Sequence, residues 1–156
     1  MICSYEIEQM REQDLPEVVH LEETTGLNRW GYDAYRRELL KNPNSIMLIS
    51  RDITDSRPGK SVLGFFAGWI VEDELHVNNI ATRPDSRRKG VGESLMASAL
   101  EEARLRGVRF VLLEVRASNN PAQTLYVKLG FHYVGRRRDY YRQPVEDAML
   151  MRLELG

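Results

Sequence analysis

An α+β domain built on a mixed, mostly antiparallel sheet is the fold class this sequence predicts. Three observations carry that expectation. Two apolar runs, 61–71 and 75–81, are separated only by Glu72-Asp73-Glu74, the pattern of an antiparallel hairpin. A helical repeat from Val91 to Arg106 then leads into Phe110 to Val115, a continuous apolar run of the kind found in strands covered on both faces of a partly parallel sheet. A last apolar strand, Ala148 to Leu155, closes the chain.

Size and composition bound what such a domain does. At 156 residues the chain is read as one domain, large enough to bury roughly two thirds of its unfolded surface. The net charge of −1 provides no global basic field, which argues against nucleic acid as a principal partner. The single cysteine, Cys3, excludes an internal disulfide and fits a reducing compartment. No apolar run reaches the ~20 residues of a membrane span, and the first ten residues contain acids, Glu6 and Glu8, where a signal peptide has bases followed by an apolar block. A cytoplasmic protein with no membrane partner is expected, a monomer by default. His20, His76 and His132 lie far apart, so no metal site is predicted.

From the start of the chain, Tyr5 and Ile7 alternate with Glu6 and Glu8, a strand with one buried side. Asp14 then reads as an N-cap, with Pro16 in the first turn and Leu15, Val18, Val19 and Leu21 as the apolar face. The helical pattern breaks between Thr24 and Gly31 and resumes over Tyr32 to Leu40. Within the break, Leu27 is expected to cap the core and Trp30 to line a cleft, because binding residues gather on loops held by a scaffold. Ile46 to Ile49 is a second strand, and Arg51 to Lys60 a polar loop. Asn78-Asn79 is unusual inside a strand; a bulge, a splayed edge or a solvent-facing edge pair would each explain it.

The hairpin feeds Arg87-Arg88-Lys89-Gly90-Val91-Gly92, a basic turn opening the helix. Two glycines one residue apart let backbone approach a ligand, and the helix start directs unpaired N–H groups and a positive dipole into the turn, so a phosphate is the natural occupant. Lys89 precedes Gly90 rather than following it with Ser or Thr next, and no third glycine follows Gly92; Walker and dinucleotide loops are both excluded. An ordinary basic turn remains the alternative. The helix itself buries Val91, Leu95, Ala99 and Ala103 and stops at Gly107.

Glu114 interrupts the apolar run after that helix, on the face of Phe110 and Leu112. Burial disfavours a carboxylate's charged form and so makes it a better proton acceptor, which marks Glu114 as a candidate general base; a salt bridge to Arg116 or to another cation at the strand's exposed end is the competing reading. Asn119 is an N-cap with Pro121 in the first turn of a short helix, on which Tyr126 either packs or aims its hydroxyl into a cleft. Phe131 to Val134 is a strand, and 136–141 is read as a charged aromatic loop.

Taken together, these segments resemble the GNAT acetyltransferases. Arg87-Arg88-Lys89-Gly90-Val91-Gly92 matches that family's Gln/Arg-x-x-Gly-x-Gly/Ala turn, and Leu113 to Asn119, Leu125 to Phe131, Arg138 to Tyr141 and Glu146 to Ala148 are similar to the ribosomal-protein-alanine acetyltransferases of the RimI type. The likeness spans residues 75–155. It implies a GNAT α+β fold of about seven strands with helices on both faces, splayed where acetyl-CoA enters. It also implies roles: Ile80, Ala81 and Thr82 for the pantetheine and acetyl group, Arg88, Lys89, Gly90, Val91, Gly92 and Glu93 for the pyrophosphate, and Asn119 for the pantetheine arm. Glu114 becomes the base, acting through a water, Tyr126 the acid on the thiolate, and Trp30 and Tyr141 substrate-binding residues. The implied acceptor is a protein N-terminus, on a ribosomal protein if the RimI likeness extends to substrate. The alternatives are other N-termini or lysines, or a coenzyme A-binding regulatory module without turnover.

Overall fold

The computed structural model describes residues 4–25, 27, 29–54 and 61–156. Cys3 and the 55–60 part of the polar loop lie outside the described residues. Seven strands form one sheet: β1 (Tyr5–Gln9), β2 (Ser45–Asp52), β3 (Val62–Val71), β4 (Glu74–Thr82), β5 (Phe110–Arg116), β6 (His132–Arg142) and β7 (Val145–Glu154). Their order is β1-β2-β3-β4-β5-β7-β6, and only β4 and β5 run parallel. The predicted hairpin is β3–β4, closed by a two-residue turn between Val71 and Glu74.

Among the described residues, four α-helices cover both faces. On one side α1 (Leu15–Thr24) and α2 (Tyr32–Lys41) close a core that includes Leu15, Val18, Tyr35 and Phe65. On the other, α3 (Val91–Leu105) and α4 (Asn120–Lys128) pack over Leu95, Met96, Leu75, Val111 and Tyr126. The α3 stripe is buried as its four-residue repeat predicts, and Gly107, at φ +85°, ends the helix while Val108 N–H returns to Ala103 O at 3.0 Å.

A bulge in β4 sets which residues face which helix layer. Gly68 pairs with Val77 and Ala67 with Asn79, leaving Asn78 as an extra residue. Before it, Leu75 and Val77 face α3; after it, Asn79 meets Glu22 and Tyr35 of the α1–α2 layer and Ala81 joins that layer's core. One inserted residue reverses the face of everything beyond it, because side chains alternate with period two. Of the three explanations offered for Asn78-Asn79, the bulge and the splayed strand both hold, and the solvent-facing pair does not: Asn79 is 4% exposed.

Three local expectations need correction. Asp14 stands at the N-cap of α1 but makes no side-chain cap; its carboxylate accepts from Arg51 Nη2 at 2.7 Å and Arg11 N–H at 2.9 Å, which binds the helix start to β2 instead. The charged segment 136–141 is part of β6, not a loop. β6 lies at the sheet edge with most of its side chains exposed, and the register irregularity between Arg137 and Tyr141 breaks the alternation that would have revealed it. Trp30 packs on the core instead of lining a cleft, stacking on Trp69 at 5.3 Å and against Tyr35 at 5.2 Å, while Leu27 packs against the same core as expected and also lines the cavities described below.

Candidate active site

β4 and β5 pair from Glu74↔Phe110 to Val77↔Leu113 and then part, although β4 continues to Thr82 and β5 to Arg116. The fork begins at the bulge, whose added twist turns the two strands away from each other. Beyond the fork lies a cleft of about 670 Å³.

The turn from β4 to α3 walls one end of this cleft. Gly90 is the helix N-cap at φ +79° and Arg88 sits at φ +65°, so the chain winds in a left-handed sense just before α3 begins. A glycine meets that demand at position 90 without strain, and a helix start offers N–H groups that no backbone carbonyl inside the helix satisfies. Ile80, Ala81 and Thr82, followed by Arg88, Gly90, Val91, Gly92 and Glu93, all line the cleft, as does Asn119. Lys89 does not; its carbonyl accepts from Tyr5 Oη at 3.4 Å, and Tyr5 Oη also bonds Ser94 Oγ at 3.0 Å, which ties the turn to β1.

Asn119 has a structural task besides. Its Oδ1 accepts from Ala122 N–H at 3.2 Å and caps α4, leaving the amide NH₂ for a ligand. Gln123 Nε2 donates to the carbonyls of Arg116 and Ala117, both at 3.0 Å, so α4 is anchored to the free end of β5.

A second cavity, of about 120 Å³, adjoins the first and shares Thr25, Leu27, Ile80, Asn119, Ala122 and Tyr126 with it. Glu114, Tyr140, Tyr141, Asn78 and Asn79 are among its other lining residues. Glu114 is half-buried on the α1–α2 side of β5, opposite the buried Val111, Leu113 and Val115. The competing salt bridge is not formed: Arg116 pairs with Glu146 at 3.2 Å and places its guanidinium 4.3 Å from the Tyr141 ring centre, while Glu114 Oε2 accepts from Tyr140 Oη at 3.5 Å.

Tyr126 is 6% exposed and packs against Phe131, yet it lines both cavities. Burial pushes its hydroxyl pKa well above the ordinary tyrosine value. Tyr141 is likewise pushed up, first by burial and then by the Glu114 charge. Both phenols are therefore neutral at physiological pH and hold a proton to donate.

Some cavity residues escaped the sequence reading. Tyr140 was hidden in a strand read as a loop, and Leu27, which packs against the core as expected, gave no sign that it also borders the cavities. Glu22 left a legible signal: Leu15, Val18, Val19 and Glu22 follow the 0-3-4-7 spacing of an apolar stripe, and an acid at the last place implies a buried carboxylate with dedicated partners.

A mixed seven-stranded sheet forked beside a glycine turn, with a carboxylate and a phenol beyond the fork, defines an acetyltransferase architecture, and the chain belongs to the acetyltransferase (GNAT) family, whose profile matches residues 6–131. It is 32% identical over 152 residues to the ribosomal protein bS18-alanine N-acetyltransferase of Escherichia coli K12, covering 96% of this chain and 97% of that one. It is 36% identical over 146 residues to a Bacillus subtilis protein provisionally assigned the same activity, covering 93% and 92%. The crystal structure of the E. coli ribosomal-protein-S18-alanine N-acetyltransferase matches with a TM-score of 0.82 at 30% identity, over 97% of this chain and 94% of that one. The protein is an acetyl-CoA-dependent N-acetyltransferase. The cleft suits that co-substrate: it has the volume for an extended ligand, a helix start for phosphate at one end and a splayed strand edge at the other.

Proposed function

We propose that the enzyme acetylates the α-amino group of a protein N-terminus, an N-terminal alanine on the ribosomal protein bS18 being the leading acceptor. One observation carries the reading: Glu114 and Tyr126 line a single small cavity that opens into the cleft beside the α3 turn. The named activity of the E. coli relative supplies the acceptor. A ribosomal-protein acceptor puts the work in the cytoplasm.

Acetyl-CoA supplies the acetyl group as a thioester, whose carbonyl carbon takes the amine nitrogen as the thiolate leaves. The chain's own residues hold both partners and move the protons. The amides of Arg88 and of Gly90 to Glu93 face the pyrophosphate, Ile80 to Thr82 hold the acyl end, and the Asn119 amide NH₂ meets the pantetheine arm. An ammonium cannot attack, so the acceptor must first lose a proton; Glu114, reached through a water, takes it. Tyr126, neutral because it is buried, donates to the departing sulfur, and the second proton that the nitrogen sheds as the amide forms passes through water and restores the phenol. Tyr140 and Tyr141 border the acceptor's approach, Tyr141 as a substrate-binding residue. Trp30 acts behind Tyr35 rather than on the acceptor directly.

The test is a peptide panel: an alanine-starting peptide, the same peptide with a blocked terminus and free lysines, and variants of the first residue, each incubated with labelled acetyl-CoA. Label on the alanine α-amine alone is expected. Label confined to lysines would overturn the acceptor assignment, and cofactor binding without transfer to any amine would overturn the enzymatic reading.

A further inference from the structure

We propose that Glu22 is a positioning residue for the acceptor, fixing the wall of the site formed by the connection between α1 and α2. The inference rests on the reading that the acceptor amine enters through the smaller cavity.

Glu22 is 1% exposed in the last turns of α1, and neutral donors from three segments surround its carboxylate. Trp30 N–H donates to Oε2 at 2.9 Å and Gly31 N–H to Oε1 at 3.2 Å; Tyr35 Oη donates to Oε2 at 2.5 Å, and Asn79 Nδ2 approaches it at 3.4 Å. Asn79 also donates to Tyr35 Oη at 2.6 Å, so the phenol passes the connection onward to β4. A buried carboxylate with incomplete partners is costly, and each of these donors would itself be costly to leave unmade. The arrangement therefore locks as a unit.

What it locks matters for chemistry. The backbone between Glu22 and Trp30 carries Thr25 and Leu27, which line both cavities. At the other end, Asn79 follows the bulged Asn78, a residue of the smaller cavity beside Glu114. Only the bulge makes this link possible, since without the extra residue Asn79 would keep the phase of Leu75 and Val77 and face α3. Glu22 thus sets the distance between the acceptor-side connection and the strand that opens the fork. The pyrophosphate turn, on α3 and tied to β1, makes none of these bonds.

Glutamine cannot replace Glu22 quietly. It offers one acceptor oxygen where donors meet both, so its NH₂ must oppose either Gly31 N–H or the group at Oε2. Tyr35→Phe is the gentler variant: it keeps the ring against Trp30 and Phe65 and removes only the hydroxyl that joins Glu22 to Asn79.

The experiment measures steady-state KM for an alanine-starting peptide and for acetyl-CoA, with thermal midpoints, in wild type, Glu22→Gln and Tyr35→Phe. The peptide KM is expected to rise by roughly tenfold or more in both variants while the acetyl-CoA KM stays within about twofold, because the turn that anchors the pyrophosphate makes none of the Glu22 bonds and the wall borders only the acyl end of that co-substrate. Equal rises in both KM values, or lower midpoints with both KM values unchanged, would reduce Glu22 to a structural group. Should Glu22→Gln not fold, Tyr35→Phe decides by the same criterion. If wild type modifies lysines instead, the acceptor assignment fails, while the KM split, measured with a lysine peptide, still tests Glu22.

Discussion

Tyr126 combines two tasks that use different atoms. Its ring packs against Phe131 in the α3–α4 core, and its hydroxyl, held neutral by burial, is the proposed proton donor. Tyr126→Phe separates them, since the ring survives and only the oxygen is lost. The melting temperature is expected to hold, while turnover at saturation falls at least roughly tenfold, or ~1.4 kcal/mol of barrier. Turnover within about twofold of wild type, in an assay limited by chemistry rather than product release, would remove the donor role. The same hydroxyl predicts a pH response. The folded pKa values of Tyr35, Tyr126 and Tyr141 all lie above the ordinary ~10 of an unfolded tyrosine. Above pH ~10 the unfolded chain loses protons that the folded one keeps, so the stability these groups contribute is intact below pH ~10 and declines above it. Denaturant titrations from pH 8 to 11 should show that decline, with a shallower slope in Tyr126→Phe; an unchanged slope would contradict the buried, neutral phenol.

At the scale of elements, the turn into α3 is the part that tolerates least. Gly90 sits at φ +79°, where any side chain is strained, and a Cβ there would stand 3.5 Å from Tyr5 Oη. Gly90→Glu adds both that strain and a negative charge at the phosphate end, so acetyl-CoA binding should be lost; calorimetry on a folded variant with wild-type affinity would contradict the placement. This element was legible in the sequence because its chemistry is local: the glycines, the cations and the helix stripe are contiguous. β6 was not, since an edge strand with most side chains exposed has no apolar alternation to display, and its irregularity hid Tyr140. Trp30 was misplaced for a related reason: its ring turns inward onto Tyr35 and Trp69, and Trp69 is far away in sequence. Gly68 gave an unused clue, as a glycine inside a strand marks a bulge, and it stands opposite the one in β4.

Across the whole molecule, the fork, the bulge and the buried Glu22 network belong to one design: β4 changes the layer it faces at the point where it leaves β5. The helices of one face then build the glycine-turn end of the cleft, and Thr25 and Leu27, from the connection between the helices of the other, line both cavities. Sequence periodicity located the four α-helices and most strands, but the fork is a property of pairing between segments 36 residues apart, as Glu74 and Phe110 are, and left only Asn78-Asn79 and Gly68 as its traces. The central claim is that Glu114, beyond that fork, takes the proton from the acceptor without holding the cofactor. The most direct test is the single-turnover rate of Glu114→Gln, saturated with acetyl-CoA and an alanine-starting peptide, beside its acetyl-CoA Kd. The account predicts a rate lowered by ~10²–10⁴-fold with Kd within about twofold of wild type. A wild-type rate at neutral pH, or a rate loss matched by an equal loss of cofactor affinity, would contradict it.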